Sequence, residues 1–346
     1  MQQVRAKPGR SERVGERRSR RPVVVAIVGP TAAGKTRLAI ELAARLGAEI
    51  VNADALQAYR RLDIGTAKPT AEERRAAPHH LIDLLEPDQA FSAGAFAAVA
   101  RTAIDEIAAR GRVAIVVGGS GLYHRALFAG LAATPRVPAV VRRRLKARLA
   151  REGAAALHRE LSSRDPASAE RIAAADGQRI VRALELVEAG AVAQARRLGS
   201  AGHRQPAGTP LAGWSAAAGQ AVAAAVSFGV TLPRVELYGR IAGRVEAMFD
   251  AGWEEEVADL LRSGIAPSAA AFQAIGYRQI VAGLEGSLPV AEVRQRIERE
   301  TRRYAKRQLT WFRGTPRVRW LDADRALARV DLLAREVRLA SEAESA

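Results

Sequence analysis

The chain contains no cysteine. That excludes disulfides, thiolate nucleophiles and cysteine-based zinc modules at once, and it is compatible with the cytosol. No run of eighteen apolar residues occurs, so no membrane-spanning helix is expected. The basic start leads into a six-residue apolar strand instead of a cleavable apolar segment, so no secretory leader is expected and the cytoplasm is the expected compartment. Internal repeats are also absent. Lysine is scarce, 5 residues against 49 arginines, and alanine is abundant, a bias that a GC-rich genome produces without functional demand. Exchanging lysine for arginine leaves charge unchanged, however, so the formal net charge of +17 still calls for a cause.

The charge is unevenly placed. Residues 1–22 hold eight basic and two acidic side chains in a Ser/Gly/Arg-rich stretch without apolar periodicity, and residues 1–21 are expected to be a disordered basic tail. The remaining surplus of +11 belongs to the folded part and favours a polyanionic partner, nucleic acid first. At 346 residues the chain can bury a full core, and its length suggests two domains or one with a large insertion.

The most specific local signal is VVVAIVGPTAAGKT. An apolar strand, Val23 to Val28, leads into Gly29, four free positions, then Gly34, Lys35 and Thr36, with a helix expected from Thr36 to Leu46. This is a phosphate-binding loop in its proper context. The glycines let successive N–H groups converge, Lys35 supplies charge for an outer phosphate, the Thr36 hydroxyl can hold Mg²⁺, and the following helix aims its positive end at the same spot. A second strand, Glu49 to Val51, ends in Asn52, Ala53 and Asp54; a third, Val113 to Val117, ends in Gly118, Gly119, Ser120 and Gly121. In a parallel sheet both deliver these residues to the carboxyl edge, where open α/β sheets bind ligands. Amides and a hydroxyl thus stand where an NTPase often carries its acidic residue. The site reads as a diphosphate holder with one carboxylate, Asp54. From spacing alone that carboxylate reads equally as a helix cap, a magnesium ligand or a group free for other chemistry.

After a short helix, Leu122 to Ala129, the chain breaks at Thr134-Pro135-Arg136-Val137-Pro138 and then reads as wholly helical from Ala139 to about Ala195. Asp165-Pro166 marks one helix start and Asp176 caps another. Residues 136–182 carry twelve basic and five acidic side chains, which reads either as a clamp for a charged polymer or as a solvated helical lid. A Gly/Ser/Pro-rich passage, Gly199 to Gly213, precedes a strand, Ala221 to Val230, and helices from Val235 to about Asp250 and from Trp253 to Arg262. Arg240 and Arg244 lie four apart on one face, as phosphate partners or as ion-pair partners of Glu236 and Glu246. A long helix, Ala291 to Phe312, mixes arginines and Lys306 with Tyr304, Trp311 and Phe312, which serve either to stack on exposed bases or as core anchors. The strand Val318 to Leu321 and a terminal helix complete the sheet. His79-His80 with Asp83 lacks a fourth ligand and reads as structural. The helix Ala95 to Ala109 is expected to pack on the sheet. The architecture expected is α/β: a P-loop NTPase-like parallel sheet flanked by helices, formed by 22–135 and 205–346, with an inserted all-helical domain at 136–204.

Nine segments in order resemble the bacterial tRNA dimethylallyltransferase (tRNA isopentenyltransferase) family from about Val23 to Asp322: GPTAAGKT (29–36), NADALQAYRRLDIGTAKP (52–69), PHHLID (78–83), FSAGAF (91–96), GGSGLY (118–123), DPASAERIAAADGQRIVRALE (165–185), LPRVELYGRIAGRVEAM (232–248), AIGYRQI (274–280) and RRYAKRQLTWFRG (302–314). The resemblance implies transfer of a dimethylallyl group from dimethylallyl diphosphate to N6 of the adenine immediately 3′ of the anticodon in tRNA, releasing diphosphate with Mg²⁺ present. It implies that Asp54, with Lys35 and Ser120, is catalytic. Gly29, Pro30, Thr31, Ala32, Ala33, Gly34, Lys35, Thr36, Ser120 and Arg240 would hold diphosphate, with Thr36 on the metal. RNA contacts are implied at Asp54, Ala55, Leu56 and Gln57; at Gln178, Arg179, Ile180, Val181 and Arg182; at Gly276, Tyr277 and Arg278; and at Lys306, Arg307, Gln308, Trp311 and Arg313. The 136–204 insertion would bind tRNA, the enzyme working as a monomer away from membranes. Ser120 stands where threonine is usual, Ala55 where serine is common and Ala58 where valine is frequent. Three other readings share parts of the pattern: an adenylate isopentenyltransferase acting on free nucleotides, a P-loop small-molecule kinase, and a noncatalytic RNA-binding module, which would not require Lys35, Thr36 and Asp54 together.

Overall fold

The computed structural model describes residues 23–131, 137–190, 222 and 226–345. The tail at 1–21, the Thr134-Pro135-Arg136 break and the Gly199 to Gly213 passage lie outside them. Two compact units are present, one drawn from Met1–Phe128 and Val222–Ala346, the other from Ala129–Ala221, a longer span than the expected 136–204.

The first unit is built on a six-stranded sheet, parallel at every pairing. Its strands are β1 (Val24–Val28), β2 (Glu49–Asn52), β3 (His79–His80), β4 (Ala114–Val117), β5 (Val226–Thr231) and β6 (Arg319–Asp322), in the spatial order β3-β2-β4-β1-β5-β6. All residues of β1, β2 and β4 are buried, the pattern of parallel strands covered on both faces. Register pairs Ile27 with Val117 and Asn52 with Val117, so these three strands end together at one edge. The chain order reverses around β1, which is where ligands gather in such sheets.

Helix α1 (Lys35–Leu46) packs Leu38, Ala39, Leu42 and Ala43 onto this sheet and ends at Gly47, which takes the left-handed conformation that favours glycine. α2 (Ala71–Ala76) is a short capped turn before β3, and α3 (Ala93–Ala109) starts from the Ser92 cap. α4 (Gly121–Phe128) follows β4 directly. The sequence pattern missed β3, because two residues paired to Ile50 and Val51 are too few to show a period. His79 binds the Ala77 carbonyl and His80 the Glu49 carboxylate; the described residues hold no group of three His, Cys, Asp or Glu side chains fit for a metal.

Glu49 itself is a buried charge, 3% exposed. Arg110 donates to both its oxygens at 3.0 and 2.7 Å, Arg112 donates at 3.1 Å, and His80 lies at 2.7 Å. The Arg110 hydrogen bonds lead the causes that hold its pKa down to about 2. The folded pKa is depressed, so the stabilisation is present above the ordinary carboxylate pKa and is lost as pH falls toward 2. Glu49→Gln is therefore expected to cost about 1.5–3 kcal/mol at pH 7 in denaturant unfolding, with the gap to the parent closing between pH 4.5 and 2.

Beyond β5, α9 (Arg234–Asp250), α10 (Trp253–Arg262), α11 (Tyr277–Leu284) and the 24-residue α12 (Val290–Arg313) form a second core. It joins Phe249, Trp253, Phe272, Tyr277 and Ile297 to Tyr59 and Leu62 from the segment after β2. The expected terminal helix is two, α13 (Ala323–Ala328) and α14 (Val330–Ser345).

The second unit contains α5 (Ala139–Glu152), α6 (Ala154–Arg164), α7 (Pro166–Arg171) and α8 (Gly177–Glu188), around Leu145, Leu157, Leu161, Ile180 and Leu184. Asp165 and Asp176 cap α7 and α8. Much of its positive charge is internal bracing: Arg142 pairs with buried Glu185 at 2.7 Å and Arg148 with Glu160 at 2.8 Å. Arg143, Lys146, Arg159 and Arg171 carry no ion-pair partner among the described residues.

Candidate active site

The loop from Gly29 to Gly34 turns at the carboxyl end of β1, with positive φ at Gly29 (141°), Ala32 (63°) and Gly34 (86°). Lys35 opens α1 and folds back so that Nζ donates to the Pro30 carbonyl at 2.7 Å. Burial pushes its pKa down to about 8, Asp54 works against that, and Arg244 adds to it. Thr36, partly buried, sits on the same first turn.

Asp54 is fixed from three sides. The Asn52 side chain accepts from the Asp54 N–H at 3.1 Å and donates to the Asp54 carbonyl at 3.2 Å and to the Leu81 carbonyl at 3.2 Å. Gly118, at the end of β4, lies so close that a β-carbon there would meet the Ala53 carbonyl oxygen at 2.2 Å. Two residues on, the Ser120 hydroxyl accepts from the Ala55 N–H at 3.2 Å. Asp54 Oδ1 accepts from the Leu56 N–H at 2.9 Å, while Oδ2 has no hydrogen-bond donor among the described residues. The carboxylate thus closes a turn instead of capping a helix, and one oxygen is left for chemistry.

Three side chains of this site were not legible as such. Arg244, partly buried, is the arginine of α9 whose charge couples to both Lys35 and Asp54; burial lowers its pKa first and Asp54 opposes that. Arg240 has Nη1 4.0 Å from where a β-carbon on Gly34 would stand, but it is held by Glu236 at 2.7 Å and Asp324 at 3.1 Å. The sequence offered no way to choose between them, since both share a face. Tyr304, on α12, has its pKa raised by burial and then by Asp54, with Gln308 and Ser120 working against that. Asn52 looked like an ordinary strand end.

Several residues expected at the RNA turn out to be internal. Gln308 is 5% exposed: its Oε1 accepts from the Thr31 N–H at 2.8 Å and its Nε2 donates to the Gly119 carbonyl at 2.9 Å. It braces the phosphate loop against the loop after β4. Ile180 and Val181 belong to the helical core, and Tyr277 is fully buried next to Gly276. Trp311 lies half-buried against Gly121, and Phe312 is a core residue. Ala55 and Leu56 are partly buried in the Asp54 turn, beside Gln57. Gln178 and Arg179 are exposed, Arg179 pairing with Asp176 at 3.3 Å, while Arg182 pairs with Glu185 and Arg278 with Glu300. Lys306, Arg307 and Arg313 are exposed on the last turns of α12 and have no acidic partner among the described residues. Arg307 instead lies over the Tyr304 ring, 5.7 Å from its centre.

The site therefore sets two cations, Lys35 and Arg244, against one carboxylate at the edge of a phosphate loop. That surplus suits a substrate that brings negative charge. The donors fit a hard cation: they are oxygens, Thr36 and Asp54, too few to cage a metal alone, as with Mg²⁺, which fills its shell with water and phosphate oxygens.

A family model described as "IPP transferase" matches residues 57–315. The tRNA dimethylallyltransferase of Thermomicrobium roseum is 46% identical over 305 residues, 88% of this chain and 87% of that protein. The tRNA dimethylallyltransferase of Anaeromyxobacter dehalogenans is 47% identical over 298 residues, 86% and 94%. Among solved structures, the tRNA isopentenylpyrophosphate transferase of Bacillus halodurans superposes with a TM-score of 0.66 at 35% identity, covering 94% of this chain and 100% of that one. With the matched segment running from Gln57, just after the Asp54 turn, past the end of α12, and with relatives this similar along most of their length, the chain belongs to the IPP transferase family.

Proposed function

We propose that this protein transfers the dimethylallyl group of dimethylallyl diphosphate to N6 of the adenine immediately 3′ of the anticodon in tRNA. The observation that carries the reading is Asp54: its backbone turn is braced by Asn52 and Ser120, its Oδ1 accepts from the Leu56 N–H, and its Oδ2 is open beside a phosphate loop. The N6 nitrogen attacks the allylic carbon, the carbon–oxygen bond to diphosphate breaks, and the N6 proton passes to Asp54 Oδ2. An exocyclic adenine amine is a weak nucleophile, so this acceptor matters most once the new bond forms. Charge that builds on the leaving diphosphate meets the loop amides, Lys35 and Arg244, with Arg240 near Gly34. Mg²⁺, when bound at Thr36, would supply further neutralisation of the diphosphate. The target base must leave the anticodon-loop stack to reach Asp54.

Free nucleotide is the less favoured acceptor. Lys306, Arg307 and Arg313 present uncompensated charge on the same helix that carries Tyr304 and Gln308 into the site, and a mononucleotide has no use for it. The same charge has no purpose in a small-molecule kinase. The enzyme is read as a monomer with tRNA as its macromolecular partner.

A stem-loop with inosine in place of the target adenine tests the acceptor atom, since oxygen replaces the amine. It is expected to bind and to take no prenyl group; transfer to it would move the reaction away from N6. Arg307→Ala is expected to weaken stem-loop binding, with the slope of log affinity against log salt shallower by about 0.7–0.9. A slope equal to the parent's would remove Arg307 from phosphate contact.

A further inference from the structure

The segment DIGTAKP, downstream of Asp54, is absorbed by none of the chemistry above, and neither is the glutamate run that opens α10. The structure joins them. Glu256 Oε2 accepts from the backbone N–H of Asp63 at 2.7 Å and of Ile64 at 2.8 Å, and Oε1 accepts from the Gly65 N–H at 3.4 Å. The Tyr277 hydroxyl, at the start of α11, donates to the same Oε1 at 2.6 Å. One carboxylate thus gathers three successive amides and a phenol, the way a bound anion occupies a backbone nest. Trp253, on the same helix turn, is wedged between Gly65 and Gly276, where a β-carbon at either glycine would lie about 2.0 Å from its ring.

Within the segment so held Ala67 has positive φ, as does Arg61 just before it, and so do Leu81 and Asp83 in the stretch after β3 that Lys68 ties to it; such φ costs non-glycine residues energy unless the surroundings enforce it. Buried Lys68 gives a second point of restraint, donating to Asp63, Asp83 and the Tyr59 carbonyl, each at 2.6 Å. The outcome is felt at Gln57, three residues after Asp54. Its Nε2 donates to the Thr66 carbonyl at 3.1 Å and the Ala67 carbonyl at 3.0 Å, so both of its N–H groups are consumed. Two carbonyl partners also fix the amide orientation. Oε1 has no donor among the described residues, so Gln57 can offer a substrate an acceptor and nothing else.

We propose that Glu256 is a positioning residue for RNA: by tying residues 63–65 to α11 it holds the Thr66 and Ala67 carbonyls in place, and these present Gln57 as an acceptor-only group beside Asp54. The RNA side of this statement rests on the tRNA prenylation reading; the structural side does not.

The experiment is steady-state transfer to an anticodon stem-loop by Glu256→Ala, Glu256→Gln and Tyr277→Phe, joined to amide hydrogen exchange of each protein without substrate. Glu256→Ala is expected to raise the stem-loop KM about tenfold, with the dimethylallyl diphosphate KM unchanged, and to lose protection at 57–68 but not at β1 and α1. Glu256→Gln, which keeps one carbonyl acceptor, should recover most of the loss, and Tyr277→Phe should raise the same KM about threefold. An unchanged stem-loop KM in Glu256→Ala, a parallel rise in both KM values, or protection lost equally in β1 would each overturn the proposal. Parent protein that transfers nothing to the stem-loop would overturn the prenylation reading instead, and exchange at 57–68 would then decide the structural side by itself, unchanged protection in Glu256→Ala refuting it.

Discussion

Asp54→Asn is expected to lower kcat by about 10² or more, the scale of general acid–base contributions, with stem-loop affinity within about threefold of the parent's. The asparagine carbonyl can still accept from the Leu56 N–H, and the bracing by Asn52 and Ser120 does not involve the Asp54 side chain. What disappears is the charge at Oδ2 and its capacity to take the N6 proton. Single-turnover transfer with pre-bound stem-loop separates these, since it reads chemistry without binding. A variant with unchanged single-turnover rate would leave Asp54 as a turn-forming residue only.

Lys35→Met is expected to cost about 10²–10³ in kcat/KM for dimethylallyl diphosphate. Lys35 is the loop's side-chain cation, and it already lies folded toward the site at the Pro30 carbonyl. Its pKa near 8 adds a pH signature. The ammonium form, which the diphosphate needs, predominates below pH 8, so kcat/KM of the parent should fall as pH rises through about 8. Bound diphosphate favours the proton, so kcat should hold to higher pH. Stability runs the other way. A lysine with a depressed folded pKa binds fewer protons when folded, so unfolding free energy should rise between about pH 8 and 10.5, and Lys35→Met should lack that rise. A variant retaining the kcat/KM inflection would assign it to another group.

Much of this is legible in the sequence. The loop from Gly29 to Thr36 and the strands that end at Asp54 and Gly118 announce themselves through uninterrupted apolar runs and glycines, signals that depend on neighbours in sequence. Asp165 and Asp176 were readable as caps for the same reason. What stayed hidden depends on partners distant in the chain. Gln308 reads as one more polar residue in a basic helix until Thr31 and Gly119 are placed against it. Arg240 and Arg244 are indistinguishable until Asp324 arrives from the far end of the chain to hold one of them. Lys68 looks solvent-exposed in DIGTAKP, yet Asp63 and Asp83 make it a buried tie. The surplus charge in 136–182 likewise reads as a surface property from sequence, although Glu185 and Glu160 turn part of it into helix bracing.

The most direct test is to incubate the protein and Mg²⁺ with dimethylallyl diphosphate radiolabelled in the prenyl group, and with either an unmodified anticodon stem-loop bearing adenine 3′ of the anticodon or free AMP. Label in the stem-loop and none in AMP is the predicted result; label in AMP, or in neither, would contradict prenyl transfer to tRNA.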